Sequence, residues 1–352
     1  MTPPRNRNDR AVTLATVAEA VGVSRMTVSN AYNRPDQLSP ELRARVLDVA
    51  RELGYSGPHP VARTLSRGAT GSIGLVLDYP LTRAFSDPAT VGFLHGVASG
   101  CEERALGLSL VPQIAGRDAA LVQSALVDGF VMYCTPDGDP RFQAVLDRHL
   151  PFVLVDYDAE PGRAAVNIDD RGAAKATAEH LVALGHRRFG IMLPYDQDAR
   201  SAAEAEAAAT RFVGAERLAG WRLGLEPAGI DWNAVPVGFA MGSTREAGRH
   251  AAAQLLDRAD RPTAIIALSD ELALGVFEAA AERGIAVPSQ LSVTGFDDIP
   301  EAEHATPPLT TVRQPHARKG EEAVRLLLDA REGETVLLPT ELVVRASTAP
   351  AP

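Results

Sequence analysis

The run Thr13-Leu-Ala-Thr-Val-Ala-Glu-Ala-Val-Gly-Val-Ser-Arg-Met-Thr-Val-Ser-Asn-Ala-Tyr32 decides the reading of this chain. Apolar positions recur at helical spacing on either side of Gly22, which predicts two short helices joined by a tight turn. Val17, Ala18 and Val21 form the inner face of the first helix, Val28 and Tyr32 that of the second. Ser24 stands where the second helix needs an N-cap, its hydroxyl free to accept an orphan backbone N–H. Arg25, Met26, Ser29 and Asn30 remain on the outside. The arrangement is a helix-turn-helix, whose second helix offers its N-terminal side chains to base edges in a major groove. Two amphipathic helices around a glycine also occur in many protein cores, so the flanking sequence matters. Asn33-Arg-Pro-Asp-Gln-Leu38 reads as a loop, and Ser39-Pro40-Glu41 supplies a cap, a proline for the first helical position and a first-turn acid. Leu42, Val46, Val49, Ala50 and Leu53 then make the stripe of a third helix that stops at Gly54.

Charge is placed unevenly along the chain. The net value of −10 over 352 residues argues against nucleic acid if read globally, yet residues 1–70 hold ten arginines against six acids. A basic head on an acidic body suits local neutralisation of phosphates. The length implies two or three domains, and 45% hydrophobic with 23% charged residues is ordinary for a globular protein. Cys101 and Cys134 show neither metal-ligand spacing nor a redox C-x-x-C pattern, so a reducing cytoplasm is expected. The N-terminal decapeptide has no apolar core of a signal peptide, and no apolar run approaches a membrane span. Nucleophile-elbow, P-loop, zinc-protease and dinucleotide motifs are missing, so no enzyme, cofactor or metal site is expected.

From Gly71 the pattern turns to alternating strands and helices. Short apolar runs at 73–77, 108–111, 129–133, 152–156, 164–168, 189–193, 264–268 and 292–296 read as buried parallel strands. Amphipathic stretches at 90–106, 118–126, 139–149, 170–184, 214–226, 245–258, 270–283 and 317–330 lie between them. This alternation predicts doubly wound parallel sheets, and the length accommodates two. The alanine-rich stretch 197–216 suits a helix or a mobile loop beside the ligand site.

The segments V-T-L-A-T-V-A-E-A-V-G-V-S-R-M-T-V-S-N-A-Y-N (12–33) and S-P-E-L-R-A-R-V-L-D-V-A-R-E-L-G-Y (39–55) resemble the headpiece of the lactose-repressor (LacI/GalR) family. V-A-R-T-L-S-R-G (61–68) resembles that family's hinge. The resemblance implies an all-α headpiece at 1–57, a hinge helix and linker at 58–70, and an α/β two-lobed, periplasmic-binding-protein-like domain at 71–352. It places the N-lobe at about 71–166 and 314–343, and the C-lobe at about 167–313 and 344–350. A hinge too short to be a stable helix alone would fold when two copies pack on DNA. The resemblance also implies that Leu65 wedges into the minor groove, with Arg63 and Arg67 at phosphates. The candidate DNA-contacting set is therefore Thr13, Ser24, Arg25, Met26, Thr27, Ser29, Asn30, Asn33, Arg63, Leu65 and Arg67. The expected state is a homodimer on a pseudo-palindromic DNA operator, since the C-terminus lacks the leucine heptads of tetrameric relatives.

Ligands of open α/β sheets bind beyond the carboxyl ends of strands. Asp156, Asn167, Ser269, Asp270 and Asp297 stand at such ends, and carboxylates there accept hydrogen bonds from vicinal hydroxyls. Asp270 is equally placed to cap a helix, and one of Asp169 and Asp170 is expected to do so. Arg217 offers donors and Trp221, one turn further on, an apolar face for a sugar ring. Asp297 and Gln314 fall at matching positions of the family, and Asp87 lies on the loop after the first strand. The pattern departs from lactose-type pockets at Ser269, Asn167 and His316, which stand in place of an asparagine and two aromatics. A small-molecule effector, a sugar or sugar derivative, is expected, though not a lactose-like one. A ligand-independent or activating DNA-binding regulator, or a two-lobe solute-binding protein, are the alternatives.

Overall fold

The computed structural model describes residues 12–57, 68–114, 116, 118–135, 138–158, 162–194, 201–209, 212–329 and 333–352. The expected hinge, with Arg63, Leu65 and Arg67, lies outside the described residues. The chain divides into two compact units, Met1–Thr70 and Gly71–Pro352.

The first unit contains helices α1 (Leu14–Val21), α2 (Arg25–Asn33) and α3 (Pro40–Glu52). Thr13 and Thr16 cap α1 reciprocally, and Gly22 ends it at φ 76, a left-handed conformation that a Cβ disfavours. Ser24 and Ser39 cap α2 and α3. Val17, Ala18, Val21, Val28, Ala31, Val46 and Ala50 are buried together, which gives three short helices the shared core that each lacks alone.

The second unit holds two parallel sheets. Six strands, β1 (Ser72–Leu77), β2 (Gly107–Val111), β3 (Phe130–Tyr133), β4 (Phe152–Val155), β5 (Ala165–Ile168) and, from late in the chain, β11 (Thr335–Leu338), align in the order β11-β5-β4-β3-β1-β2. The other sheet comprises β6 (Phe189–Leu193), β7 (Val237–Phe239), β8 (Ala264–Ala267) and β9 (Ser292–Thr294), ordered β7-β6-β8-β9. In each sheet the first strand sits between the second and the third, so both have a switch point beside their first strand. Between β10 (Thr311–Arg313) and β12 (Glu341–Val343) runs a short antiparallel ribbon. After β12 the chain returns to the second sheet, where Val293 N–H donates to the Ser347 carbonyl.

Helices cover the sheets: α4 (Leu81–Ala84), α5 (Pro88–Glu103), α6 (Asp118–Ser124), α7 (Pro140–Asp147), α8 (Asp170–Ala183), α9 (Ala202–Ala207), α10 (Phe212–Leu225), α11 (Arg245–Leu256), α12 (Asp270–Glu282), α13 (Pro300–His304) and α14 (His316–Asp329). Gly96 of α5 lies so close to α14 that a Cβ there would collide with the Ala317 carbonyl. Strand β7 is absent from the sequence expectation because three residues containing a glycine carry too little periodicity. Within the alanine-rich stretch, Ser201 caps the short α9, and the part from Phe212 onward belongs to α10.

Candidate functional site

The headpiece presents a narrow outer surface. At the start of α2 the Ser24 hydroxyl accepts the Thr27 N–H at 3.0 Å, which orients the first turn. Arg25 is exposed, and Met26 is 71% exposed, so both side chains are free to meet another surface. Ser29, Asn30 and Asn33 are half-buried and tied to neighbours. Asn33 Nδ2 donates to Ser29 Oγ at 3.2 Å, and Asn30 Nδ2 donates to Gln37 Oε1 at 3.1 Å. Thr13 and Ser24 are occupied as caps, and Thr27 Oγ1 lies 2.9 Å from Ser24 Oγ. The free face thus centres on Arg25 and Met26. Arg45 donates to the Val21 carbonyl at 2.7 Å and Arg43 to the Ala31 carbonyl at 3.3 Å, so these two arginines close helix ends inside the headpiece.

The body contains a cleft of about 150 Å³ bounded by the carboxyl ends of both sheets. Asp78 and Tyr79 follow β1, Cys134 follows β3, Asp156 follows β4, Pro194 follows β6, Ser269 follows β8, and Asp297 lies three residues beyond β9. The two switch points face the same space. Cys134 (φ 52), Asp156 (φ 56) and Asp297 (φ 125) all have positive φ, and such strain gathers where side chains are aimed at a ligand.

Six of the nine expected ligand-site residues line the cleft: Asp87, Asp156, Arg217, Ser269, Asp297 and Gln314. Three do not. Trp221 is 1% exposed and packs into the apolar core around the second sheet. Asn167 closes on the backbone of Tyr157, accepting its N–H and donating to its carbonyl at 3.2 and 2.9 Å. Asp270 accepts from Thr311 Oγ1 at 2.5 Å and the Ile299 N–H at 2.9 Å, so it braces the loop after β9 instead of facing the cleft. Burial pushes its carboxyl up to about 7. Asp169 is the residue that caps α8.

Arg217 organises the side of the cleft formed by the second sheet. Its Nε donates to Asp170 at 2.8 Å and its Nη1 to the Leu268 carbonyl at 2.6 Å, with the guanidinium carbon 3.5 Å from the Phe296 ring centroid. Its Nη1 is 4.0 Å from Asp297, whose carboxyl burial drives well above the usual range although Arg217 pulls it down. Asp297 also accepts from Gln314 Nε2 at 2.6 Å. Across the cleft, Asp87 caps α5 by accepting the Thr90 N–H, and Arg83 lies over the Tyr79 ring.

Sequence reasoning missed Asp78, Arg141 and Lys319. Arg141 is fully buried, donating to Asp139, to Asp78 and to the Leu77 carbonyl directly behind the cleft. Lys319 is 1% exposed and bonded to both Asp156 oxygens. Arg141 and Lys319 sit in polar stretches that read as solvated helix faces, whereas Asp78 closes the apolar run 73–77 and the strand-end signal could have found it. His316 lines the cleft, and burial lowers its imidazole to about 4. Among the described residues no cluster of three or more His, Cys, Asp or Glu is arranged to hold a metal ion, and no helix is long and apolar enough to cross a membrane.

A helix-turn-helix with exposed side chains at the head of its second helix, in one chain with a two-sheet cleft body, defines a class of DNA-binding transcriptional regulator. Comparison with known proteins agrees. Residues 13–57 match the model for bacterial regulatory proteins of the lacI family, and 178–348 match a periplasmic binding protein-like domain. The chain is 44% identical to the HTH-type transcriptional regulator Rv3575c of Mycobacterium tuberculosis, over 97% of this chain and 98% of that protein. A solved structure described as a transcriptional regulator CelR-cellobiose complex superposes with a TM-score of 0.70 at 29% identity, covering 96% of this chain and 99% of that one. The lac repressor dimer bound to operator and the anti-inducer ONPF gives a TM-score of 0.76 at 26% identity, covering 96% and 99%. This chain belongs to the LacI family of transcriptional regulators.

Proposed function

We propose that the protein is a repressor that binds a pseudo-palindromic operator as a homodimer and is controlled by a sugar or sugar derivative in the cleft. Residues 1–57 read the DNA, 58–70 form the hinge, and 71–352 bind the effector and dimerise. A ligand that favours one separation of the two lobes biases the hinge, and hence operator affinity, by its differential affinity for the two states. The observation that carries this reading is the clustering around one cleft of Asp156 and Asp297 from beyond strand ends with Asp87 from the cap of α5 and Arg217 from α10, the donor and acceptor set that vicinal hydroxyls require. The relative bound to cellobiose supports a carbohydrate, and the lac repressor dimer on its operator supports the assembly.

The test is a thermal-unfolding screen of the full chain against neutral sugars, cellobiose among them, with Asp297→Ala beside the wild type. A true effector at a hundredfold excess over its Kd stabilises the body by about 2.7 kcal/mol. The reading expects that rise in the wild type and its loss in Asp297→Ala. No rise with any sugar, or the same rise in both proteins, contradicts it.

A further inference from the structure

Lys319 sits in the first turns of α14, does not line the cleft, and is 1% exposed. Its ammonium reaches Asp156 Oδ1 at 2.6 Å, Asp156 Oδ2 at 2.7 Å and Gln314 Oε1 at 2.6 Å. An ammonium has three donors and no acceptor, so all three are engaged, and the Gln314 atom facing it must be the oxygen. The Gln314 amide nitrogen is thereby turned to Asp297, donating to Oδ1 at 2.6 Å. This chain of hydrogen bonds links Asp156, at the end of β4, to Asp297, beyond the end of β9. A neutral residue at 319 would free Gln314 to present either end of its amide.

His316 extends the pattern. Its Nε2 lies 3.2 Å from the Asp297 backbone carbonyl, which only accepts, so Nε2 carries the hydrogen in the neutral ring. Its Nδ1 is then a bare acceptor, buried and without a partner among the described residues, on a residue that lines the cleft. Burial keeps the ring neutral. Four carboxylates line the same space, Asp78, Asp87, Asp156 and Asp297, against two guanidiniums, Arg83 and Arg217. Such a wall rewards O–H donors. Behind that wall Lys319 pairs with Asp156, Arg141 with Asp78 and Asp139, and Arg217 is shared with Asp170, so acids still outnumber cations and a phosphate or carboxylate would add negative charge to the excess.

We infer that Lys319 is the positioning residue that fixes the donor–acceptor pattern of the cleft through Gln314 and Asp156, and that this pattern selects an uncharged, hydroxyl-rich ligand over its phosphorylated or carboxylated forms. The inference rests on the carbohydrate reading above and adds a selectivity and its source.

The experiment is calorimetric titration of the full chain with cellobiose, glucose, glucose 6-phosphate and glucuronate, using wild type, Lys319→Met and Lys319→Arg. Wild type binds a neutral sugar at least about tenfold more tightly than the charged forms. Lys319→Met loses about tenfold in both affinity and selectivity, and Lys319→Arg, which keeps the cation, recovers selectivity. A charged form that binds wild type as tightly as its neutral parent, or a Lys319→Met protein with wild-type selectivity, overturns the inference. If no probe binds wild type, the carbohydrate reading fails, and hydrogen exchange of the Gln314 side-chain amide decides the role of Lys319 without ligand. Protection in wild type and Lys319→Arg that is lost in Lys319→Met supports it, whereas equal protection in all three overturns it. Lys319→Gln replaces Lys319→Met should the latter fail to fold.

Discussion

Replacing Arg141 by methionine removes a fully buried guanidinium from an acidic cluster directly behind the cleft. Its Nε lies 2.9 and 3.1 Å from the two Asp139 oxygens, and its Nη2 3.1 Å from Asp78 Oδ1. Side-chain exposures are 0% for Arg141, 5% for Asp139 and 2% for Asp78, so solvent screening does not reduce the effect as it does for surface pairs. The methionine fills much of the volume but takes the guanidinium away from two buried carboxylates and the Leu77 carbonyl, while Asp139 keeps the backbone N–H of residue 141. Breaking such a pair from one side costs about 3–5 kcal/mol. An unfolding entropy of about 2.1 cal/mol/K per residue, over a body of this length, makes that a fall of roughly 5–8 °C in its midpoint. Scanning calorimetry of the full chain reads the body transition. Adding Asp139→Asn and Asp78→Asn to Arg141→Met recovers most of the loss, because the carboxylates that faced the guanidinium are then neutral. A drop below about 2 °C, or a triple variant no better than the single one, refutes the reasoning.

Four further outcomes are expected. Arg25→Ala weakens binding to the preferred duplex by about 1–3 kcal/mol and relaxes preference at one base pair, whereas a uniform loss on all sequences places Arg25 on phosphate. Leu65→Ala, argued from the sequence alone, weakens specific operator binding in a gel-shift titration and leaves ligand affinity intact; unchanged operator affinity removes the wedge role. Asp297→Ala abolishes the ligand response of the operator complex while the ligand-free protein still binds DNA, and a retained response misplaces the pocket. The fourth concerns pH: His316 has a folded pKa lowered to about 4 from an ordinary 6.5, so the folded state holds fewer protons than the unfolded one between those values. Its contribution to stability is therefore full above pH 6.5 and is lost as pH falls towards 4. The stability difference between wild type and His316→Gln should shift by about 3 kcal/mol over that window, to the disadvantage of wild type at the acid end. A difference independent of pH means the imidazole titrates normally.

The headpiece was legible because its determinants are local. Gly22 ends one helix and Ser24 starts the next within three residues, and the cap at Ser39 and the stripe as far as Ala50 follow the same rules, whereas Leu53, expected on that stripe, is 37% exposed and stays out of the headpiece core. Strand ends were legible for a similar reason, since a polar residue closing an apolar run marks the mouth of an open sheet. What those rules lack is direction. Asn167 ends a strand as Asp156 does, yet its side chain turns to the Tyr157 backbone. Trp221 shares a helix face with Arg217, but one turn along α10 is enough to pass from cleft to core. Lys319 was hidden most completely. Its partner Asp156 is 163 residues away, and the run Ala317-Arg-Lys-Gly-Glu-Glu322 reads as a solvated helical face until packing of α14 buries Lys319, Gly320 and Glu322.

The account stands on the claim that the chain reads DNA, and the most direct test is selection of bound duplexes from a random pool by the full chain at a stated salt concentration. It predicts a short palindrome with a deformable central step, its half-sites one or more helical turns apart as a symmetric dimer requires. Recovery of no sequence above the non-specific background would contradict it.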